Sequence, residues 1–461
     1  MIQRRIQRGF ILLETILAGA LLFLIVSAFV IAAISGQESS VLSGKRSRAV
    51  LLAEEGLEAV RNIRDEGFAN LGDGVHGLAT IDNQWNFAGS QDTTDIFSRQ
   101  ITISPVDAQT KDVSSTITWQ QNAQSTGSVT LLTRLTDWLE GVISWLNPFK
   151  EASLNIAGSE DGLKVKSSGN YAYVVRNDGS PDFAVIDISN STSPTLVASL
   201  SLIGTPSNIA IANDYAYVSS SDNFQELQII DISTPTSPSV VGTFNASGGA
   251  DGTGVYAVGS TVYLTRNSSS DDEFVIINAG NPVAPTLVGS LNMGAAGLEV
   301  FVSGMRAYIA SARDNQELQI IDITTPSAPS LMSSYNLPGN TNALTITGFT
   351  NTILLGQGNT LHIFDVTNPA IPITLGSTNM SGTVNDLSVG NANTLVFAGT
   401  SAGNAEFAVI DITDLTNSSI IGTVDISNNS TINGIMYDGG HNKAYGVTNL
   451  NSEEFMVMSA P

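Results

Sequence analysis

The chain is 461 residues long, has no cysteine and only three histidines, and carries a net charge of −23. These totals exclude a disulfide framework, a thiolate metal site and a cysteine nucleophile, and they argue against a multi-histidine metal centre. From Ser153 to Pro461 there are 7 Lys and Arg against 26 Asp and Glu, a net of −19, so nucleic acid phosphates and anionic membranes are poor partners for that part.

The first predicted element is an apolar helix. Ile16 to Ile34 is a run of 19 residues with Ser27 as its only polar side chain. As a helix it spans about 28 Å, close to one bilayer core. Arg4, Arg5 and Arg8 precede it and favour a cytoplasmic N-terminus, although Lys45, Arg46 and Arg48 follow it. A cleaved secretory signal ending at "AIS" before Gly36, or a plain signal anchor, are the simple readings. Neither accounts for Glu14, which opens the apolar stretch four residues after Phe10. A carboxylate in lipid is costly and needs a partner. The run contains no Lys or Arg, so the partner must come from outside it.

The stretch "RGFILLE", Arg8 to Glu14, resembles the processing site of type IV pilins and pseudopilins. The resemblance implies that prepilin peptidase cuts after Gly9 and that Phe10 becomes the methylated N-terminal residue. It also implies that Glu14, at the fifth mature position, faces the N-terminal amine of a neighbouring subunit during filament assembly. That amine exists only after cleavage, which fits a carboxylate with no partner in its own run. The helix lacks the proline found in many major pilins, and Gly19 is its only internal glycine before Gly36.

After the span, "SRAVLLAEEGLEAVRNIRDEGFANL" continues as an amphipathic helix, with Val50, Ala53, Leu57, Val60 and Ile63 on one stripe. Residues 67–132 then turn β-rich: "FSRQITISPV", "VSSTITWQQ" and "GSVTLLTRL" alternate polar and apolar side chains. A long helix followed by a small antiparallel sheet resembles minor pilins and pseudopilins, and that resemblance covers roughly the first 135 residues. In 133–150, Leu135, Trp138, Leu139, Val142, Ile143 and Leu146 fall at helical spacing, and Pro148 ends the pattern. All four tryptophans lie before residue 150, and the domain boundary is expected at about 148–152.

The remainder is periodic. "FAVIDIS", "LQIIDIS", "FVIINAG", "LQIIDIT", "LHIFDVT", "FAVIDIT" and "FMVMSAP" recur, anchored on Asp187, Asp231, Asn278, Asp322, Asp365, Asp411 and Met458 at spacings of 44, 47, 44, 43, 46 and 47. Each unit reads as four strands, such as "LKVKSS", "YAYVVRN", "FAVIDIS" and "PTLVASLSL", from innermost to outermost. One such sheet cannot cover both its faces alone, so neighbours must stack, and a closed ring removes the open ends. The last unit ends without a fourth strand. "EASLNIAG" resembles "VASLSLIG", so residues 153–156 are expected to complete the final sheet. Seven units predict seven blades, and the units resemble the LVIVD repeat family, which implies a β-propeller and says little about ligands.

Catalytic signals are weak. "GTSAG", Gly399 to Gly403, matches G-x-S-x-G but falls in a loop between strands with no helix to form a nucleophile elbow. His362 stands in a repeat strand and His441 in the turn "DGGHNK". The repeat aspartates are expected to cap turns by accepting backbone N–H bonds. The acidic loops before those strands, such as "SSSDNFQEL" and "NLNSEEF", offer oxygen ligands for calcium, but none has the alternating twelve-residue pattern, and solvated loops are the default.

The expected protein is therefore multidomain and non-enzymatic, without catalytic residues, metal or cofactor. It comprises a prepilin leader (1–9), a transmembrane and stalk helix (10–66) that with a small pilin-like β domain (67–132) makes an α+β part, an amphipathic linker (133–150) and an all-β seven-bladed propeller (151–461). Its partners are prepilin peptidase, acting at Gly9 and Phe10, other pilin subunits through the N-terminal helix with Phe10 and Glu14, the inner membrane before assembly, and an unknown surface ligand or protein for the propeller. The expected role is a minor pilin-like surface protein displaying an adhesive or binding head. The alternative is a pseudopilin of a type II secretion or DNA-uptake system whose propeller contacts cargo or envelope partners.

Overall fold

The computed structural model describes residues 26–27, 42–65, 67–81, 84–106, 110–122, 125–136, 145–177, 179–267, 271–390, 393–426 and 430–461. The chain divides into two compact units between Glu140 and Gly141.

In the first unit, a helix over 42–65 buries Ala49, Ala53, Leu57, Val60 and Ile63. Ala49 takes the place expected for Val50, which is only half-buried. Positions 49, 53, 57 and 60 follow the 3.6-residue turn, and Val50 is rotated about 100° off that line. The stripe packs on Phe97, Ile101, Ile103, Val113 and Ile117 of an antiparallel sheet. The sheet runs in the order Gly74–His76, Phe97–Pro105, Thr110–Asn122, Ser125–Thr136, and Asp92–Thr94 also pairs with Phe97–Pro105. Gly56 permits the close approach, since a Cβ there would press on Ser115 and Arg99 of the sheet. Arg99 is buried and bonds Asp92 and the Leu52 carbonyl, so its charge is matched inside the unit.

The helical reading of 133–150 is corrected at both ends. Leu135 is buried as part of the strand Ser125–Thr136, and Phe149 and Lys150 begin another strand. A spacing of four places Leu131 and Leu135 on one side of a strand as readily as on one side of a helix. Trp145 is fully buried in the second unit, against Phe397, Phe407 and Tyr437. Leu135 thus belongs to the first unit and Trp145 to the second; residues 137–144 lie outside the described residues.

The second unit contains seven four-stranded antiparallel sheets of the propeller-blade kind. Sheet 1 consists of Gly162–Ser168, Tyr171–Arg176, Phe183–Asp187 and Thr195–Leu200, from inner to outer strand. The inner strands of sheets 2 to 7 are Pro206–Ala212, Gly252–Val258, Gly297–Ser303, Ala343–Phe349, Val384–Gly390 and Ile432–Asp438. Each inner strand lies beside that of the next sheet, and the seventh lies beside the first. The middle strands of a sheet are covered on both faces, which is why "FAVID" and "LQIID" are unbroken apolar runs with all side chains before the aspartate buried. Each such Ile, Val or Phe contributes about 1.5–3 kcal/mol relative to exposure.

The outer strand of sheet 7 is Phe149–Leu154, paired with Phe455–Ser459. It starts four residues before the expected 153–156 and stops before Ile156. The register explains this. In sheets 1 to 6 the third and outer strands carry a bulge at one shared position, such as Val185/Ile186 and Ile229/Ile230. The same bulge falls at Val457/Met458 against Phe149–Leu154. It also shows that Ser459, paired with Phe149 as Asp187 is with Thr195, is the true counterpart of the anchor aspartates, in place of Met458.

A glycine in several outer strands marks where the next sheet's turn arrives. A Cβ on Gly242, Gly289 or Gly376 would collide with the carbonyl of Pro282, Pro326 or Leu415. At Gly422 the obstacle would be Trp145 and Pro148. The segment 145–148 therefore takes, for sheet 7, the place of the turn that precedes the outer strand in the other repeats.

Candidate binding cavity at the innermost strands

Repeat polar residues first account for local structure. Asp187, Asp231, Asp322, Asp365 and Asp411 each accept the backbone N–H two residues on, at 2.7–2.9 Å. Asn278 does the same toward Gly280. The Ser189, Ser233, Thr324 and Thr367 hydroxyls, then these N–H groups, hold Asp187, Asp231, Asp322 and Asp365 below the ordinary carboxylate range. These aspartates are turn caps.

The acidic loops are less solvated than their composition suggests. The last acid of each is buried: Asp182, Glu226, Glu273, Glu317, Glu406 and Glu454. Each accepts a backbone N–H from just beyond the outer strand, from Leu202, Ala246, Met293, Leu337, Ile426 and Ile156 respectively, at 2.7–3.0 Å. The constant spacing of 20 residues from acid to N–H in sheets 1 to 4 and 6 is the signal that could have revealed them. Replacing Glu317 with alanine is expected to cost about 1–3 kcal/mol, the penalty of an orphaned buried N–H. Glu317→Gln, which keeps an acceptor oxygen, loses less. Chemical denaturation of the two variants checks the order.

Ser401 of the G-x-S-x-G match accepts the Thr383 N–H at 3.0 Å, and no hydrogen bond joins it to a histidine among the described residues. His362 is half-buried in the third strand of sheet 5, and burial holds its pKa below the ordinary histidine value. His441 meets the Asp438 carboxylate at 3.0 Å. Among the described residues no three His, Asp or Glu side chains converge as a metal-ligand set.

The inner strands enclose a cavity of about 230 Å³. At its base is an ionic cluster drawn from sheets that are not neighbours. The Lys164 ammonium meets Asp386 Oδ1 at 2.7 Å and Glu299 Oε1 at 3.2 Å. Glu299 also accepts from Asn208 Nδ2 at 3.2 Å and from the Ile346 N–H at 3.0 Å. Asp386 accepts from the Ile435 N–H at 2.8 Å. Lys164, Asn208, Glu299 and Asp386 are all the third residue of an inner strand or its equivalent, so the fold assembles the cluster from one register position. Burial opposes the Lys164 charge, but the Asp386 and Glu299 carboxylates outweigh it and hold its pKa above the ordinary lysine value. Burial likewise opposes ionisation of Glu299, but the Lys164 charge, aided by Thr345, Lys166 and the Ile346 N–H, holds it below the usual range.

Two residues along each strand the surroundings change. Lys166, Tyr256, Phe301, Thr347 and Met436 line the cavity and are partly exposed. The first residues of the seven inner strands are buried, so the cavity opens toward the hairpins between first and second strands. Tyr256 and Phe301 meet edge to face, with ring centroids 5.5 Å apart. Reading the sequence element by element missed this cluster. A usable signal was present, however: residues 153–461 contain only three lysines, and two of them, Lys164 and Lys166, share one inner strand.

Gly9, Phe10 and Glu14 lie outside the described residues, as does most of the apolar run. Among the described residues no helix is long and apolar enough to cross a membrane.

Three stretches, residues 160–201, 203–246 and 296–337, match the LVIVD repeat. They fall on sheets 1, 2 and 4. No curated protein matches the chain. A chain in the crystal structure of a mitotic checkpoint complex is similar in fold, with a TM-score of 0.53 at 11% identity, over 68% of this chain and 96% of that one. The structure of Saccharomyces cerevisiae Sqt1 is similar at a TM-score of 0.48 and 8% identity, over 65% of this chain and 83% of that one. The repeat matches and the sheets together define a β-propeller-like repeat domain.

Proposed function

We propose that this chain is a type IV pilin-like subunit that carries a closed seven-bladed β-propeller as a binding or adhesive head. The observation that carries the filament reading is Glu14 in its apolar run, four residues after a Gly9–Phe10 junction. Prepilin peptidase would free the Phe10 amine, and Glu14 of one subunit would pair with that amine on the next. Before assembly the protein would sit in the inner membrane by one span, with the propeller outside the cytoplasm. Seven sheets, the contact of the last inner strand with the first and the split seventh sheet support ring closure. A head of this bulk favours a minor subunit at a filament tip.

Sequencing the N-terminus of the mature protein is expected to return Phe10. Retention of Met1, or a terminus next to Gly36, would sink the reading. Glu14→Leu is expected to leave membrane insertion intact and to lower recovery in sheared filaments by at least about tenfold, as the loss of a charge pairing in an apolar setting requires. Antibody labelling of the second unit at filament ends supports the minor-pilin role; its confinement to the cell envelope would favour the secretion or DNA-uptake pseudopilin.

A further inference from the structure

We infer that the cavity at the inner strands binds a small monoanion, whose carboxylate is held by Lys166 and whose apolar frame lies against Tyr256, Phe301 and Met436. The base of the cavity is already complete. Both carboxylates there are engaged by Lys164 and by backbone N–H groups, so neither is available to receive a ligand cation. Lys166 differs. It lines the same cavity, is partly exposed, and makes no hydrogen bond or close ion pair among the described residues, its charge acting on Glu299 from a distance. The cavity lining thus offers an ammonium on one strand and aromatic and thioether surface on others. A carboxylate on a flat or aliphatic frame matches both, and a charge-assisted bond is roughly twice as strong as a neutral one.

The charge pattern narrows the class. Counting Lys166, the four ionic groups at the cavity sum to zero, so a monoanion adds one charge and a dianion two, and the dianion is the more strongly repelled. The volume of about 230 Å³ suits a molecule of benzoate size rather than an extended chain. Lys166 thus serves as the ligand's anchor, and Lys164 as a structural ion that sets the field beneath it.

This inference deepens the reading of the second unit as a binding head, but its test is separate. Calorimetric titration of the purified full-length protein would use benzoate, the neutral benzamide, the cationic benzylamine and the dianionic phthalate. Saturable binding of benzoate, at least about tenfold tighter than each of the others, is the expected result. Lys166→Met should remove that preference and Lys166→Arg should keep it, both variants remaining cooperatively folded in thermal unfolding. No saturable benzoate binding, equal binding of benzylamine, or unchanged affinity in folded Lys166→Met would overturn the assignment. Failure to find Phe10 at the mature N-terminus would overturn the filament reading and leave this titration untouched.

Discussion

Replacing Lys164 with methionine is expected to destabilise the second unit by about 3–5 kcal/mol, the cost of leaving buried charges without their partner. Asp386 and Glu299 are 3% and 11% exposed at the side chain, so water cannot take over the role of the ammonium. A variant that also carries Glu299→Gln and Asp386→Asn should recover much of the loss, because the uncompensated charges go with the lysine. Urea unfolding of the full-length proteins measures both, and a loss below about 1 kcal/mol for Lys164→Met alone would disprove the role given to the cluster.

The same cluster sets a pH window. Glu299 is held below its ordinary value of 4.5, so its contribution is present above that value and is lost as pH falls through the depressed folded-state value. Lys164 is held above 10.5, so its contribution is present below that value and is lost as pH rises through the folded-state value. Between these limits the cluster contributes a constant amount. The difference in stability between the native protein and the triple variant should therefore be flat from about pH 5 to 10 and shrink outside that range.

Trp145→Ala is the second large effect, expected to cost about 3–5 kcal/mol. The ring is fully buried, 4.7 Å from Phe397 in an edge-on contact, and its indole N–H donates to Asn442 at 3.3 Å. Its removal leaves a cavity between sheets 6 and 7 and frees the chain ahead of Phe149. Trp145→Phe, which retains most of the volume and loses the N–H, should fall between the two. Limited proteolysis of the alanine variant should cut first near residues 145–154. Thermal unfolding indistinguishable from the native protein would show that Trp145 does not hold sheets 6 and 7 together.

What could be read from the sequence follows from the physics of each element. The third strands stand out because both faces are covered and the strand ends in a capping aspartate, so an apolar run and an Asp recur together. Ser459 was misplaced by one residue because the final repeat lacks both the aspartate and the following turn, its outer strand coming from Phe149–Leu154. The buried glutamates were hidden because an acid at the end of a polar loop looks solvated until the N–H it caps is located. The Lys164 cluster joins residues 135 and 222 positions apart, a distance over which no local pattern operates. In 133–150, Leu135 answers to the sheet of the first unit and Trp145 to the core of the second, so their spacing does not mark one element.

The split seventh sheet has a mechanical consequence. Phe149–Leu154 is both the strand by which the chain arrives from the first unit and half of the seam on which the last sheet depends. Any tension carried along the chain between the units loads that ladder before any other strand pair in the second unit. The joint is pinned on several sides: Trp145 is set in the core, Lys150 grips Glu453 at 2.8 Å, and Glu151 grips Lys443 at 2.9 Å. Resistance of the second unit to unfolding under such tension is thereby concentrated in about ten residues, 145–154, rather than spread over its seven sheets.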